Sequence, residues 1–136
     1  MSNIEQTLSI IKPDAVERGL TEEIKSFLLK KNLKIINEKK IHITKEEALE
    51  FYKVHQSKPF YDKLCTYLSS GPIVVMILEG EDAITQYRNV MGATDPKNAE
   101  TETLRKLYGI SIDKNSVHGS DSVTTAKSEI SFFFKD

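Results

Sequence analysis

The segment Ile73–Leu78 restricts the fold of this chain more than any other stretch. It reads Ile-Val-Val-Met-Ile-Leu, an uninterrupted apolar run between the break Ser70-Gly71-Pro72 and Gly80. A continuous apolar run bounded by turn residues is typical of a strand that is buried on both faces. The sequence therefore predicts a central strand of a sheet at this position.

Patterns before this segment predict two further strands and three helices. A β-branched run is stopped by Pro13, because proline has no N–H to donate to a neighbouring strand. Thr44 and Glu47 have the spacing of a capping box, which marks the start of a helix. The predicted elements are a strand Glu5–Lys12, a loop or short turn Asp14–Leu20, a helix Thr21–Lys31 capped by Thr21, a strand Leu33–Ile43 bent near Asn37, and a helical hairpin of Thr44–Val54 and Pro59–Ser69.

Patterns after the central strand predict a helix, a long loop and a last helix. Apolar residues recur with helical spacing from Ala83 to Met91, and Gly92 ends that helix. The loop from Gly92 to Asn115 is long enough to indicate a functional segment. The remaining predicted elements are a short helix around Leu104–Tyr108, a short strand at Val117-His118 and a helix Ser122–Phe134.

The order of these elements is β-α-β-β-α-β once the helical hairpin is treated as an insertion. It predicts an α+β fold, a ferredoxin-like antiparallel sheet with an inserted helical hairpin and a C-terminal helix. A length of 136 residues is a common size for one domain, so we expect residues 1–136 to form a single domain.

Composition excludes several classes of function. The formal net charge of −1 provides no large basic surface, which disfavours nucleic-acid binding. No apolar stretch is long enough to span a membrane, and the segment Met1–Glu5 has no signal-peptide pattern. The single cysteine, Cys65, agrees with a reducing compartment. We therefore expect a cytoplasmic protein with no membrane partner.

The segment Asn115–Ser122 concentrates reactive groups, with one imidazole, three hydroxyls and a carboxylate in eight residues. A helix start directly after it would place His118 near N–H groups that attract anions, and Gly119 would allow close approach of the backbone to a ligand. Lys12, at a strand end, could likewise meet a ligand or face solvent. On these residues alone, an active site and a polar surface turn are equally supported.

Several short motifs together resemble the nucleoside diphosphate kinase family, and its bacterial members in particular, over essentially the whole chain. The pattern Asn115-x-x-His118-Gly119-Ser120-Asp121-Ser122 resembles the signature around that family's phosphorylated histidine. Supporting motifs occur in the family's order: Leu8-x-Ile10-Ile11-Lys12-Pro13-Asp14 with Arg18-Gly19, Lys58-Pro59-Phe60, Ser70-Gly71-Pro72, Gly92-Ala93-Thr94 before Pro96, and Thr103-Leu104-Arg105.

The resemblance implies transfer of the γ-phosphoryl group from a nucleoside triphosphate to a nucleoside diphosphate, by a ping-pong mechanism through phosphohistidine on His118. It implies that Glu129 holds the other imidazole nitrogen and that Ser120 belongs to the same network. By the same match, Lys12, Tyr52, Arg88, Thr94, Arg105 and Asn115 contact phosphates and sugar, while Phe60, Leu64 and Ile112 surround the base.

The resemblance also implies Mg2+ as cofactor, held mainly by nucleotide phosphates rather than by a protein metal site. ATP, ADP, GDP and deoxynucleotides are the implied small-molecule partners, and a homotetramer or hexamer is the implied assembly. The three histidines suggest no separate metal site, because their spacing fits no ligand motif; His42 is expected to be structural and His55 to cap a helix or face water.

Three positions depart from the family pattern. Glu102 stands where the family commonly has glycine, and Leu107 and Val54 stand where acidic residues are usual. These departures remove no catalytic group, but we expect them to change the long loop and nucleotide affinity. The alternative function is a non-catalytic nucleotide-binding or regulatory ferredoxin-like module, which would not need the pair of His118 and Glu129.

Overall fold

A computed structural model of the protein describes residues 4–110 and 116–134. Within these residues the strands form one antiparallel sheet in the order β2-β3-β1-β4. The strands are β1 (Ile4–Ile11), β2 (Lys34–Ile41), β3 (Ile73–Glu81) and β4 (Val117–Gly119). This is the strand order of a ferredoxin-like sheet, and the predicted fold class is confirmed.

Helices cover both faces of the sheet. One apolar cluster includes Leu28 and Tyr87 and lies on the side of α2 and α5; the other includes Leu68 and Phe133 and lies on the side of α3, α4 and α7. The helices are α1 (Pro13–Glu17), α2 (Thr21–Lys30), α3 (Lys45–Phe51), α4 (Tyr61–Leu68), α5 (Ala83–Met91), α6 (Leu104–Tyr108) and α7 (Val123–Phe133), with 3-10 turns at Lys53–His55 and Pro96–Asn98.

The central position predicted for the apolar run is confirmed. β3 pairs with β1 on one side and with β2 on the other. Val74 and Met76 contribute to one apolar cluster and Ile73 and Val75 to the other, because successive side chains of a strand point to opposite faces. Burial on both faces explains why the run has no polar alternation.

Two local predictions about β2 and α3 are also confirmed. The pairing of β2 with β3 shifts between Ile35 and Asn37, which is the predicted bend. At the start of α3 the Thr44 hydroxyl accepts a hydrogen bond from Glu47 N at 3.1 Å, and the Glu47 carboxylate accepts one from Thr44 N at 2.9 Å. These two bonds form the predicted capping box.

One loop, one helix cap and one helix start differ from the sequence-based expectation, and α3 ends at Phe51 rather than Val54. Pro13 both ends β1 and begins α1, since its fixed φ suits the first helical position, so the expected loop at Asp14 is helical. Leu20, not Thr21, is the N-cap residue of α2. Likewise α4 starts at Tyr61 rather than Pro59, because Phe60 is its N-cap residue and its carbonyl accepts the first helical hydrogen bond.

Cys65 is fully buried, and its thiol donates to the Ala48 carbonyl at 3.4 Å. It therefore links α4 to α3 as part of the core. Among residues 4–110 and 116–134, no helix is long and apolar enough to cross a membrane.

Candidate active site

His118 lies on the short strand β4, opposite Ile10 of β1. Its Nε2 is 3.1 Å from Glu129 Oε1, and Glu129 lies on α7. Ser120 donates its hydroxyl to the same carboxylate oxygen at 2.8 Å. The structure thus brings together the three residues that the sequence predicted as catalytic. An N–H of His118 donating to this carboxylate would fix the ring orientation and its tautomer.

Ser120 is held by the neighbouring strand. Its backbone N–H donates to the Leu8 carbonyl at 3.3 Å, and its hydroxyl accepts from Leu8 N at 3.3 Å. The side chain is almost fully buried, so it has few alternative positions. Ser120 therefore connects the Glu129 carboxylate to the rigid centre of the sheet.

Gly119 has a packing role that differs from the expected one. A Cβ at this position would lie 2.6 Å from the Tyr87 ring and 2.8 Å from Met91 Cε, both on α5. The absence of a side chain thus allows β4 to approach α5 closely. Gly119 is explained by this contact, whereas the sequence had suggested close approach to a ligand.

Two aromatic rings pack edge-on against the His118 imidazole. The ring centroids of Phe51 and Tyr52 lie 5.5 Å and 5.9 Å from that of His118. Tyr52 is buried, and this burial, together with the nearby Glu129 charge, raises the pKa of its phenol. Tyr52 is a predicted site residue that stays a hydrogen-bond donor. Phe51 was missed, because an apolar residue on a helix gives the same sequence signal in a core and beside a site.

Arg105 is a half-buried cation beside β4. Its guanidinium donates to the Val117 carbonyl at 3.0 Å and to the Gly92 carbonyl at 3.1 Å, while its Nε–H is buried and has no hydrogen-bond partner in the described structure. Burial, together with the charge of Arg88, lowers the pKa of Arg105. Buried donors in proteins are normally satisfied, so the Nε–H of Arg105 is available to a hydrogen-bond acceptor such as an anionic oxygen.

Lys12 is buried at the end of β1, with 5% of its surface exposed. Its backbone N–H donates to the Ser116 carbonyl at 2.8 Å, which places it next to the start of β4. The alternative of a solvent-exposed lysine is therefore wrong. Lys12, after β1, and Arg105, on α6, both bond to the backbone at the start of the His118 strand.

Two of the residues predicted to surround the base, Phe60 and Leu64, lie on the hairpin of α3 and α4. Phe60 is 45% exposed and Leu64 is partly buried. His55 lies between Tyr52 and Phe60, with its ring centroid 6.1 Å from each, so it joins the predicted base platform to the His118 pocket. Its position among these rings differs from the capping or solvent role expected from the sequence.

Arg88 on α5 is exposed, and Thr94 is exposed two residues after Gly92, whose carbonyl holds Arg105. Predicted contacts Asn115 and Ile112 lie outside the described residues. The described part of the candidate site is therefore a histidine paired with a carboxylate, enclosed by aromatic rings and approached by cations. Such an arrangement suits a nucleophile that accepts an anionic group.

A comparison with known protein families decides between the possible uses of this arrangement. The family model described as "Nucleoside diphosphate kinase" matches residues 5–136. The chain belongs to the nucleoside diphosphate kinase family.

Individual relatives agree with this assignment. The nucleoside diphosphate kinase of Persephonella marina is 53% identical over 132 residues, which cover 97% of this chain and 94% of the relative. Among solved structures, the nucleoside diphosphate kinase of Aquifex aeolicus has a TM-score of 0.96 at 40% identity, covering 98% of this chain and 96% of its own. That of Halobacterium salinarum, solved in complex with CDP, has a TM-score of 0.94 at 41% identity, covering 98% and 90%. Full-length similarity at this level assigns nucleoside diphosphate kinase activity to the chain.

The structure shows what the departure at Glu102 does within this family fold. Glu102 has a φ of 68°, in the left-handed region that favours glycine. Gly92 at the other end of the same loop has a φ of 84°, and a Cβ there would lie 2.5 Å from Thr103 Oγ1. The nucleoside diphosphate kinase loop therefore keeps its required glycine at one end and carries a strained glutamate near the other. Leu107, the second departure, is 51% exposed on α6.

Proposed function

We propose that the enzyme transfers the γ-phosphoryl group between nucleotides through a phosphohistidine on His118. The observation that carries this proposal is the 3.1 Å contact between His118 Nε2 and Glu129 Oε1. When neutral imidazole donates its Nε2–H to a carboxylate, the lone pair lies on Nδ1. Nδ1 is therefore the proposed nucleophile.

In the first half-reaction, Nδ1 of His118 attacks the γ-phosphorus of a nucleoside triphosphate. A P–N bond forms while the bond to the bridging oxygen breaks, and the nucleoside diphosphate leaves with that electron pair. The proton on Nε2 stays in place, and the Glu129 carboxylate stabilises the positive charge that develops on the ring. In the second half-reaction, a terminal oxygen of another nucleoside diphosphate attacks the phosphorus and the P–N bond breaks.

Cations on three elements would stabilise the transferred group. Phosphoryl transfer depends mainly on positioning and on positive charge around the equatorial oxygens. Lys12, Arg105 and Arg88 supply positive charge beside β4, and the unpaired Nε–H of Arg105 fits an anionic oxygen. Tyr52, Thr94 and Asn115 complete the proposed phosphate and sugar contacts.

Magnesium is the proposed cofactor. The described residues contain no group of three or more His, Cys, Asp or Glu side chains placed to hold a metal ion. Mg2+ commonly keeps waters and binds phosphate oxygens with few protein ligands, so the proposed ion arrives bound to the nucleotide. When bound there, it would neutralise phosphate charge.

The exposed ring of Phe60 supports a base-binding role with low specificity. Stacking uses the face of a base and not its hydrogen-bonding edge, so purines and pyrimidines can both bind. Leu64 on α4 would form an apolar wall, with Ile112 on the other side of the base. We therefore propose ATP, GDP and deoxynucleotides alike as substrates.

We also propose that residues 1–136 form one domain that assembles as a cytoplasmic homotetramer or hexamer. β2 is the outer strand next to β3, and a strand at a sheet edge can pair with a second copy of the chain. Light scattering should give the mass of an oligomer; a monomer mass would contradict this assembly.

The test of the mechanism is phosphoenzyme formation. Protein mixed with γ-labelled ATP and magnesium should give an acid-labile, base-stable phosphoenzyme that discharges onto GDP or a deoxynucleoside diphosphate. His118→Ala should take up no label, while the control His42→Ala, whose ring contacts the Ser69 carbonyl away from the site, should label normally. If wild-type protein takes up no label, the mechanism is wrong and a non-catalytic nucleotide-binding module remains. If His118→Ala labels equally well, a residue other than His118 carries the phosphoryl group and the mechanism is also wrong.

A further inference from the structure

A second buried polar cluster lies beside the active site and has no part in the proposed chemistry. Its centre is the Asp14 carboxylate, whose side chain is only 4% exposed. This carboxylate accepts hydrogen bonds from the Tyr67 hydroxyl, from Ser116 Oγ at 2.8 Å and from Arg18 at 3.2 Å. A buried carboxylate with three donors is a rigid, fully engaged group.

Arg18 extends this cluster to the long loop. One of its terminal nitrogens donates to Asp14 Oδ2, to Ser116 Oγ at 3.2 Å and to the Tyr108 carbonyl. Its Nε donates to the Asp14 carbonyl at 3.2 Å. Tyr108 is the last residue of α6, the helix that carries Arg105. One guanidinium therefore connects the segment after β1 to the end of α6 and to Ser116.

Ser116 connects this cluster to β4. It is fully buried, has a φ of 75° and directly precedes β4, two residues before His118. A left-handed backbone is unfavourable for serine, so surrounding contacts must hold it. Its hydroxyl binds Asp14 and Arg18, and its carbonyl accepts the backbone N–H of Lys12.

We infer that Arg18, Asp14 and Ser116 are positioning residues for phosphoryl transfer, which fix the His118 strand relative to the helix that carries Arg105. Their contacts reach the backbone at two places. Ser116 directly precedes β4, which carries His118, and Tyr108 is the last residue of α6, which carries Arg105. The inference rests on the proposed role of His118 as the phosphoryl carrier. A displacement of about 1 Å in a reacting group can reduce a rate by roughly a hundredfold. Contacts that fix the distance between His118 and Arg105 therefore affect the rate of phosphoryl transfer.

The variants Ser116→Ala and Arg18→Lys test this inference. The first removes one hydroxyl and keeps a non-glycine residue at the strained position; the second keeps the charge and removes the planar fork that reaches several acceptors. Two matched controls are Ser69→Ala, whose hydroxyl bonds the Cys65 carbonyl, and Lys25→Met, which breaks an ion pair with Glu38.

The measurement is the rate constant of phosphoenzyme formation in a single turnover at saturating ATP, together with the fraction of chains labelled. We expect each test variant to lose about tenfold to a hundredfold in rate constant while its folded chains still label. The controls should keep the wild-type rate constant. A merely structural role would lower the labelled fraction and the melting temperature but leave the rate constant of the labelled chains unchanged.

The double variant Ser116→Ala with Arg18→Lys gives a second criterion. Because both residues belong to one hydrogen-bond network, the rate constant of the double variant should fall by about as much as that of the slower single variant. Wild-type rate constants in both single variants, or a double loss equal to the product of the single losses, would overturn the inference. Failure of the wild-type protein to label would instead overturn the proposed function, so the two failures are distinguishable.

Discussion

Glu129 receives two contacts on one oxygen, from His118 Nε2 and from the Ser120 hydroxyl. Ser120 is in turn bonded to Leu8 of β1, so the carboxylate is fixed relative to the sheet and not only relative to α7. At the scale of single residues, the orientation of the imidazole depends on a chain of hydrogen bonds that ends in the backbone of β1. Removing charge from the middle of that chain should weaken the nucleophile without removing it.

Glu129→Gln should therefore lower the rate constant of phosphoenzyme formation by about a hundredfold, because the amide keeps the shape but loses the charge that stabilises the imidazolium. Rapid-quench labelling with γ-labelled ATP measures this rate constant. Lys127→Gln, on the exposed side of the same helix, is the control and should transfer at the wild-type rate. Equal rates for Glu129→Gln and wild type would show that the carboxylate has no part in the reaction.

Glu102→Gly should increase the free energy of unfolding by about 1 kcal/mol, because glycine adopts a φ of 68° without the Cβ conflict that glutamate has there. Urea denaturation measures the change. Glu100→Gly, two residues earlier in the same loop and exposed, is the matched control and should be neutral or destabilising. A loss of stability in Glu102→Gly would mean that the glutamate side chain makes compensating contacts.

At the scale of elements, prediction from sequence worked where neighbouring residues decide the outcome. The capping box of Thr44 and Glu47 was readable because both hydrogen bonds lie within one helical turn. The helix α2 does begin at Thr21, but the predicted cap at Thr21 was wrong, because Leu20 is the N-cap residue and makes no side-chain capping bond. The cluster of Asp14 and Ser116 was not predictable, since its hydrogen bond joins residues 102 positions apart.

Prediction of the site was also limited by contacts between residues that are far apart in the sequence. His118, Glu129 and Ser120 were identified through motif resemblance, and the structure brings them together. Spacing alone left His118 equally compatible with a surface turn, because convergence of β4 and α7 depends on the whole fold. His55 was misjudged for the related reason that its ring contacts come from the arrangement of the hairpin.

Thr44→Ala should reduce the free energy of unfolding by about 1 kcal/mol. The backbone N–H of Glu47 loses its acceptor, the Thr44 hydroxyl, so only the bond from Thr44 N to the Glu47 carboxylate remains of the capping box. Thr21→Ala should change stability much less, since the N-cap of α2 makes no side-chain capping bond. Denaturant midpoints for the two variants provide the comparison. Equal losses would contradict the assignment of the capping box as the stabilising contact.

At the scale of the whole molecule, the sheet has a buried tyrosine on each side. Tyr87 contributes to the cluster of α2 and α5, and Tyr52 to that of α3, α4 and α7. Burial raises the pKa of both phenols, because the charged phenolate would lose its hydration. Packing on both faces of the sheet is therefore most stable when Tyr52 and Tyr87 are neutral.

This arrangement predicts a stability that is fully present below about pH 10 and is lost as the pH rises from there towards the raised pKa values of the folded state. In that window the unfolded chain ionises its tyrosines and binds fewer protons, so the free energy of unfolding falls by about 1.4 kcal/mol per pH unit for each buried phenol. Urea midpoints between about pH 9 and about pH 11 measure the slope.

Tyr87→Phe should be less stable at neutral pH, because the hydrogen bond to Ser9 is lost, but its stability should fall less steeply with pH. An unchanged slope in this variant would show that Tyr87 ionises equally easily in both states.

The strand that carries His118, the proposed nucleophile, pairs with the first strand of the chain, and the contact between Leu8 and Ser120 spans 112 positions. During synthesis on the ribosome, β1 emerges long before its neighbour β4 exists. The paired histidine and glutamate can form only once the segment through Glu129 has emerged, so a shorter nascent chain lacks the carboxylate contact of His118. The arrangement of His118 and Glu129 is therefore completed only late in synthesis, once α7 is available to pack against β1.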